Sequence, residues 1–138
     1  MSTNIRPELS YKNKYWIERH RYYELKHFCL QYYIWKKSYS NLTADIKSHE
    51  IGSLPNSNSV SKPVENLAEK RLYFLNRMDM VEKVCKKTDV GLSSYILKAV
   101  TVGLSYDLLR ARTNIPCNKE VYYDLYRRFF WLLDKERA

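Results

Sequence analysis

The stretch GLSYDLLRARTNIPCNKEVYYDLYRRFFWLLDKERA, residues 103–138, contains two helix-like runs separated by Asn-Ile-Pro-Cys-Asn. Ser105 has the side chain expected of an N-cap, and Asn114 tolerates the left-handed backbone in which many helices end. Pro116 stops the first helix, because it lacks an amide hydrogen, and Asn118 is a strong N-cap for the second. The stretch therefore predicts a short helix, a tight turn and a longer final helix.

The spacing of apolar residues in the final helix predicts which side faces the interior. The predicted inward stripe is Val121, Leu125, Phe129, Leu132 and Leu133. Outward positions near the start of this helix are Lys119, Glu120, Tyr123, Asp124, Arg127 and Arg128. This layout is typical of a helix-turn-helix, which we predict over residues 105–135. In that motif the second helix enters the major groove of DNA by its first turns.

Basic and hydroxyl side chains of these two helices are the candidate DNA contacts, since they bind guanine edges or phosphates. The predicted nucleic-acid-binding residues are Lys119, Tyr123, Arg127, Arg128, Arg110 and Arg112. Glu120 and Asp124 oppose this interpretation, because phosphates repel them unless they accept from cytosine or pair with a neighbouring basic side chain. The alternative is an ordinary helix pair in which Arg127 and Arg128 form a solvated face.

Composition favours an all-α protein of one domain, or one domain with an arm. The chain has 138 residues, three glycines, four prolines and 45% hydrophobic residues, which argues against disorder and against a turn-rich β protein. It has 24 Lys and Arg against 15 Asp and Glu, a net charge of +9. This excess is spread along the sequence and suits a polyanionic partner, such as nucleic acid or an acidic protein surface.

The rest of the chain predicts a long N-terminal helix, a flexible loop and a helical bundle that ends in the helix-turn-helix. We expect a loose leader over 1–10, one helix over 11–42, a loop or linker over 43–62 and a helical domain over 63–138. The long helix has an apolar stripe of Leu25, Phe28, Tyr32, Trp35 and Tyr39. The next helix has a stripe of Val64, Leu67, Leu75, Met78, Val81 and Val84 or Cys85. A short buried helix follows and closes at Gly103.

The sequence contains little that points to catalysis, metal binding or a membrane. Its three cysteines are widely separated and odd in number, which favours reduced thiols in a cytosolic protein. Its three histidines lie in the predicted first helix or loop, and no glycine-rich turn exposes a nucleophile. We therefore predict no enzyme activity, no cofactor and no metal. Without a signal pattern or a long apolar run, we also predict a cytoplasmic protein with no membrane contact.

The segment AVTVGLSYDLLRARTNIPCNKEVYYDLYRRFFWLL, residues 99–133, resembles the C-terminal part of small transcriptional regulators from phages and prophages of Gram-positive bacteria, the RinA and ArpU type. In that family a glycine-hydroxyl segment, here 103–106, precedes a scaffold helix. A turn with a buried aliphatic residue, here Ile115, leads to an aromatic and basic recognition helix, here 122–130. SVSKPVENLAEKR, residues 59–71, is similar to the phrase that opens the middle helix of that group. The resemblance implies a helix-turn-helix similar to sigma factor region four.

The same resemblance implies a phage-encoded transcriptional regulator in the cytoplasm of a bacterial host. We therefore expect the partner to be double-stranded DNA, at a promoter or operator, and the long N-terminal helix to serve packing or homodimer formation. A host protein is the alternative partner, since tyrosine and arginine are also favoured at protein interfaces. In that case the chain is a phage-encoded inhibitor of a host factor, such as an anti-CRISPR protein.

Overall fold

The computed structural model describes residues 12–52 and 61–138, and this part of the chain is helical, without a β-strand. Its six helices are α1 Arg19–Leu30, α2 Tyr32–Gly52, α3 Ser61–Thr88, α4 Ser93–Val102, α5 Tyr106–Thr113 and α6 Lys119–Glu136. The predicted all-α class is therefore confirmed. The loose leader predicted over 1–10 lies outside the described residues.

The chain divides into two compact units. Unit 1 consists of Met1–Gln31 and Met80–Ala138, and unit 2 consists of Tyr32–Asp79. Unit 1 therefore contains α1, the end of α3 and α4 to α6, whereas unit 2 contains α2 and most of α3. Within unit 2 the Arg71 guanidinium lies over the ring of Tyr39, 5.8 Å from its centroid. This cation–π contact links α2 and α3.

The N-terminal helix, predicted as continuous over 11–42, begins later than expected. The carboxylate of Glu18 accepts hydrogen bonds from the backbone amides of His20 and Arg21. This cap satisfies amides at the start of α1 that have no partner within the helix. The helix therefore begins at Arg19, and the predicted start is wrong.

The same predicted helix is interrupted at Gln31 and continues beyond its predicted end. The Gln31 amide donates to the carbonyl of Phe28, a short-range bond that closes α1 in a tight turn. α2 continues into the loop predicted over 43–62, and Ile46 in this part is buried. Burial of this side chain stabilises the helical conformation of an otherwise polar segment. Residues 53–60 of the predicted loop lie outside the described part of the chain.

The interior of unit 1 is built from aliphatic, aromatic and thiol side chains. The largest fully buried ones are Tyr122, Phe129, Phe130, Leu25, Leu109, Leu133, Val81, Val84, Cys29 and Cys85. They come from α1, α3, α5 and α6, and they include Val81 and both alternatives, Val84 and Cys85, of the stripe predicted for α3. Burying one large apolar side chain stabilises a fold by about 1.5–3 kcal/mol. Hydrophobic burial is therefore the main stabilising contribution in unit 1.

The buried side of α6 is rotated relative to the predicted stripe. Three of the five predicted positions are buried, but Val121 is 46% exposed and Leu132 is only half-buried. Tyr122 and Phe130 are buried in their place. α6 packs against both α1 and α5, and the positions of these two neighbours set which side of α6 is buried.

The connection between α5 and α6 has the capping interactions predicted for it. Ser105 accepts a hydrogen bond from the Leu108 amide at the start of α5. Asn118 accepts one of 2.9 Å from the Val121 amide at the start of α6. Asn114 ends α5 in the left-handed conformation, with φ of 55°. These capping predictions are confirmed, and local hydrogen bonds set the break between the two helices.

Replacing Asn118 with Ala removes the acceptor that caps α6 and is expected to lower the free energy of unfolding by about 1 kcal/mol. Asn118→Asp keeps the acceptor and adds negative charge at the helix N-terminus, so it is expected to be at least as stable as the wild type. Urea denaturation followed by circular dichroism at neutral pH measures both. Equal stability of the two variants would show that the cap does not contribute.

Candidate functional site

Most of the excess positive charge belongs to unit 1. Met1–Gln31 and Met80–Ala138 contain 17 Lys and Arg against 10 Asp and Glu, a net charge of +7. Tyr32–Asp79 contains 7 against 5, a net charge of +2. Unit 1 is also the longer of the two units, so both units are basic and the larger one carries most of the excess. Unit 1 also holds all six predicted DNA contacts.

Four arginines of α5 and α6 are accessible. Arg110 and Arg112 are exposed in the last turn of α5, and Arg127 and Arg128 are half-buried in the middle of α6. None of the four forms an ion pair within the part of the chain that the structure describes. Unpaired guanidinium groups keep their capacity to bind phosphates or guanine edges.

The other two predicted contacts, Lys119 and Tyr123, are engaged within the protein. The Lys119 ammonium lies 3.9 Å from the Asp107 carboxylate, and its side chain is 30% exposed. The Tyr123 hydroxyl accepts a hydrogen bond of 3.4 Å from the Tyr106 amide, and Tyr123 is half-buried. Tyr123 was predicted to face outward, but the structure places it against the start of α5.

Two carboxylates and two apolar side chains are also exposed on α5 and α6. Glu120 and Asp124 are exposed, and neither forms an ion pair among residues 12–52 and 61–138. Leu108 and Val121 are 50% and 46% exposed. The outer surface of these helices therefore combines both signs of charge with apolar area. The sequence pattern predicted the charged residues of this surface but not the apolar ones.

A network of tyrosines, which the sequence pattern did not reveal, joins α1, α5 and α6. The hydroxyls of Tyr22 and Tyr126 share a hydrogen bond of 2.6 Å. The Tyr106 hydroxyl donates to a carbonyl of the α5–α6 connection at 2.6 Å, and the Tyr122 hydroxyl donates to the Leu104 carbonyl at 3.3 Å. Burial raises the pKa of Tyr122 and of Tyr126. Both phenols therefore remain protonated at neutral pH.

A cavity of about 290 Å³ lies among α1, α4, α6 and the connection between α4 and α5. Its walls include Tyr22, Tyr23, Lys26, Ser105, Tyr123 and Tyr126. Gly103 also lines it and ends α4 in the left-handed conformation, with φ of 83°. The cavity therefore combines aromatic walls with hydroxyl groups and one ammonium group.

The described residues contain no group of three or more His, Cys, Asp or Glu side chains placed to hold a metal ion. All three cysteines are free thiols: Cys29 and Cys85 are buried, and Cys117 is half-buried. Burial raises the pKa of Cys85 to about 12 and also raises the pKa of Cys29. These two thiols remain protonated at neutral pH and form part of the hydrophobic core.

Comparisons with protein-family models, curated proteins and solved structures found no match to this chain. Among the helices of residues 12–52 and 61–138, none has the length and apolar character needed to cross a membrane. The chemistry of the site consists of unpaired guanidinium groups on α5 and α6 and a tyrosine-lined cavity in the same unit.

The buried phenol of Tyr122 predicts a loss of stability at high pH. In the unfolded chain a tyrosine ionises near pH 10, whereas burial raises the pKa of Tyr122 in the folded protein. The protonated phenol therefore makes its full contribution to the free energy of unfolding below about pH 10. Above that pH this contribution is lost, at up to about 1.4 kcal/mol per pH unit. Tyr122→Phe removes this ionisation, so its stability is expected to fall less steeply over this range.

Urea denaturation of both proteins at a series of pH values above about 10 measures the two slopes. Tyr126 and the buried thiols also have raised pKa values, but both proteins contain them, so the difference between the two slopes reports on Tyr122. At neutral pH the Phe variant is expected to be about 1 kcal/mol less stable, because the Leu104 carbonyl loses its donor. Parallel curves at high pH would contradict a buried, protonated Tyr122.

Proposed function

We propose that the chain is a phage- or prophage-encoded transcriptional regulator that binds double-stranded DNA, at a promoter or operator, through α5 and α6. The proposal is carried by Arg110, Arg112, Arg127 and Arg128, which form no ion pair within the described residues. They lie on two helices joined by a five-residue connection, in the unit with a net charge of +7. The phage origin rests on the sequence resemblance alone.

Phosphate contacts and base contacts have separate roles in this proposal. Arg110 and Arg112 bind phosphates and set the position of the protein on the duplex. The first turns of α6 enter the major groove as the second helix of a helix-turn-helix. In these first turns the exposed Val121 contacts a thymine methyl group, and farther along the helix Arg127 or Arg128 binds a guanine edge or an adjacent phosphate.

Glu120 and Asp124 contribute selectivity in this proposal, and the arginines contribute affinity. Neither carboxylate has an ion-pair partner among the described residues. Each is therefore repelled by phosphate unless it accepts from the amino group of a cytosine. Sites without a suitably placed cytosine are disfavoured, which is how unpaired charges discriminate between partners. The two carboxylates thus restrict the sequences that α6 can bind.

A host protein is the alternative partner, and one observation favours it. Leu108 and Val121 are exposed on helices that carry both signs of charge, a composition shared with protein interfaces. In this alternative the chain inhibits a host factor, as anti-CRISPR proteins do. This alternative predicts no salt-dependent binding to duplex DNA. The gel-shift measurements described next therefore distinguish the two functions.

Gel-shift titrations on duplex DNA flanking the gene, at several salt concentrations, test the DNA-binding proposal. The affinity of the wild type is expected to fall steeply with salt, because each neutralised phosphate releases counterions. The double variant Arg127→Ala, Arg128→Ala is expected to bind about 10- to 100-fold more weakly and to reduce the salt slope by about 2.

The matched control is Lys36→Ala with Lys37→Ala, which removes two positive charges from adjacent exposed positions of α2. Its affinity is expected to stay within about threefold of the wild type, because these lysines lie outside the proposed contacts. An equal loss in both double variants would show an effect of net charge alone. Unchanged binding of the arginine variant would exclude α6 as the reading helix.

We also propose that unit 2 forms a homodimer contact. Its large apolar side chains Tyr33, Ile34, Leu72 and Tyr73 are 49%, 63%, 55% and 51% exposed, and exposed apolar area of this kind favours association. Ile34→Lys is expected to shift the sedimentation of the protein from dimer to monomer without loss of helical content. A wild type that sediments as a monomer at all concentrations would contradict this proposal.

A further inference from the structure

The polar side chains that line the cavity in unit 1 can all donate hydrogen bonds. Lys26 brings an ammonium group, Tyr23 and Tyr123 bring phenolic hydroxyls and Ser105 brings an aliphatic hydroxyl. The lining contains no Asp or Glu. Hydroxyl and ammonium groups donate hydrogen bonds. The cavity is therefore complementary to a ligand with acceptor oxygens and negative charge.

Several of these donors are not used within the protein. Lys26 is half-buried and forms no ion pair with the described residues. The hydroxyl of Tyr23 forms no hydrogen bond in the same part of the chain. The hydroxyl of Tyr123 accepts from the Tyr106 amide, so its own hydrogen remains available. Three donors from α1 and α6 therefore line one cavity with free capacity.

The aromatic side chains of the lining restrict the body of the ligand. Phe130 lies with its ring centroid 5.1 Å from that of Tyr22 and 4.9 Å from that of Tyr126. Planar rings pack well against such edges and faces. The cavity volume of about 290 Å³ lies near the lower limit of the ~300–1,000 Å³ of ligand sites. One aromatic ring with a short substituent fits this description.

The single lysine restricts the charge of the ligand. One half-buried ammonium neutralises one negative charge, as on a carboxylate. A phosphate monoester carries nearly two charges at neutral pH, and the second would be desolvated without a partner, which is costly. A monoanion is therefore favoured over a phosphate.

We propose that this cavity is a binding site for a small aromatic carboxylate. The ligand carboxylate pairs with Lys26 and accepts from the hydroxyls of Tyr23 and Tyr123, and the ligand ring packs against Tyr22 and Phe130. The site is separate from the four arginines of the proposed DNA interface, and only Tyr123 belongs to both sets of residues.

Chemical-shift titration of nitrogen-15-labelled protein with 4-hydroxybenzoate tests this site. Gly103 lines the cavity and Gly91 does not, so their amide signals serve as reporter and internal reference. The Gly103 signal is expected to shift to saturation while the Gly91 signal stays nearly constant. The neutral 4-hydroxybenzamide has the same ring and is expected to bind at least about tenfold more weakly, because it cannot form the ion pair.

Variants at Lys26 test the charge directly. Lys26→Met keeps an apolar stem of similar length and is expected to raise the Kd for 4-hydroxybenzoate at least about tenfold. Lys26→Arg keeps the charge and is expected to stay within about threefold of the wild type. The matched control is Lys98→Met, at an exposed lysine of α4 that does not line the cavity, and it is expected to bind like the wild type.

Three results would each overturn the proposal: no saturable shift at Gly103, equal binding of the neutral amide, or wild-type affinity in Lys26→Met. The comparison of the two ligands uses the unmodified protein, so it decides the question even if Lys26→Met does not fold. Duplex DNA affinity of the same proteins is measured separately, and loss of ligand binding with intact DNA binding distinguishes failure of this site from failure of the proposed function.

Discussion

The packing of α6 against α1 is the interaction on which the rest of unit 1 depends. The ring of Tyr22 meets that of Phe130 edge to face, with centroids 5.1 Å apart, while its hydroxyl bonds to that of Tyr126 at 2.6 Å. Arg21 adds an ion pair of 2.6 Å to Asp134. Apolar burial provides most of the stabilisation, and the polar contacts select one register of α1 on α6. The same register forms the walls of the cavity.

Local signals were sufficient for the bounds of α5 and α6, but not for the side of α6 that is buried. A cap depends on one side chain and an amide three positions away, as at Ser105 and Asn118. The buried side of α6 depends on α1 and α5 together, and for that reason Tyr122 is buried where Val121 was expected. The break at Gln31 hardly changes the spacing of the apolar residues. For that reason the sequence pattern predicted one continuous helix where the structure has α1 and α2.

The charged part of the candidate site was accessible from the sequence, and the cavity was not. Arginines remain at the surface because burial of an unpaired charge is costly, so those of α5 and α6 could be placed from helix register. The burial of a tyrosine is difficult to predict from the sequence, because its ring favours the interior and its hydroxyl needs a hydrogen-bond partner. Tyr23 and Tyr123 are 100 positions apart in the sequence, and only the tertiary fold brings them to one cavity.

Unit 1 is discontinuous in the sequence, since the chain leaves it after Gln31 and returns at Met80. Joining its two segments closes a loop that contains the 48 residues of Tyr32–Asp79. Chain length alone gives this closure an entropic cost of roughly 3 kcal/mol. Contacts of α5 with α4 and α6 join residues that are close in the sequence, whereas those of α1 with α4 and α6 do not, so we expect α1 to dock last. Because α1 covers the aromatic side of α6 in the native structure, we expect a chain in which α1 has not docked to be more prone to aggregation than the native protein.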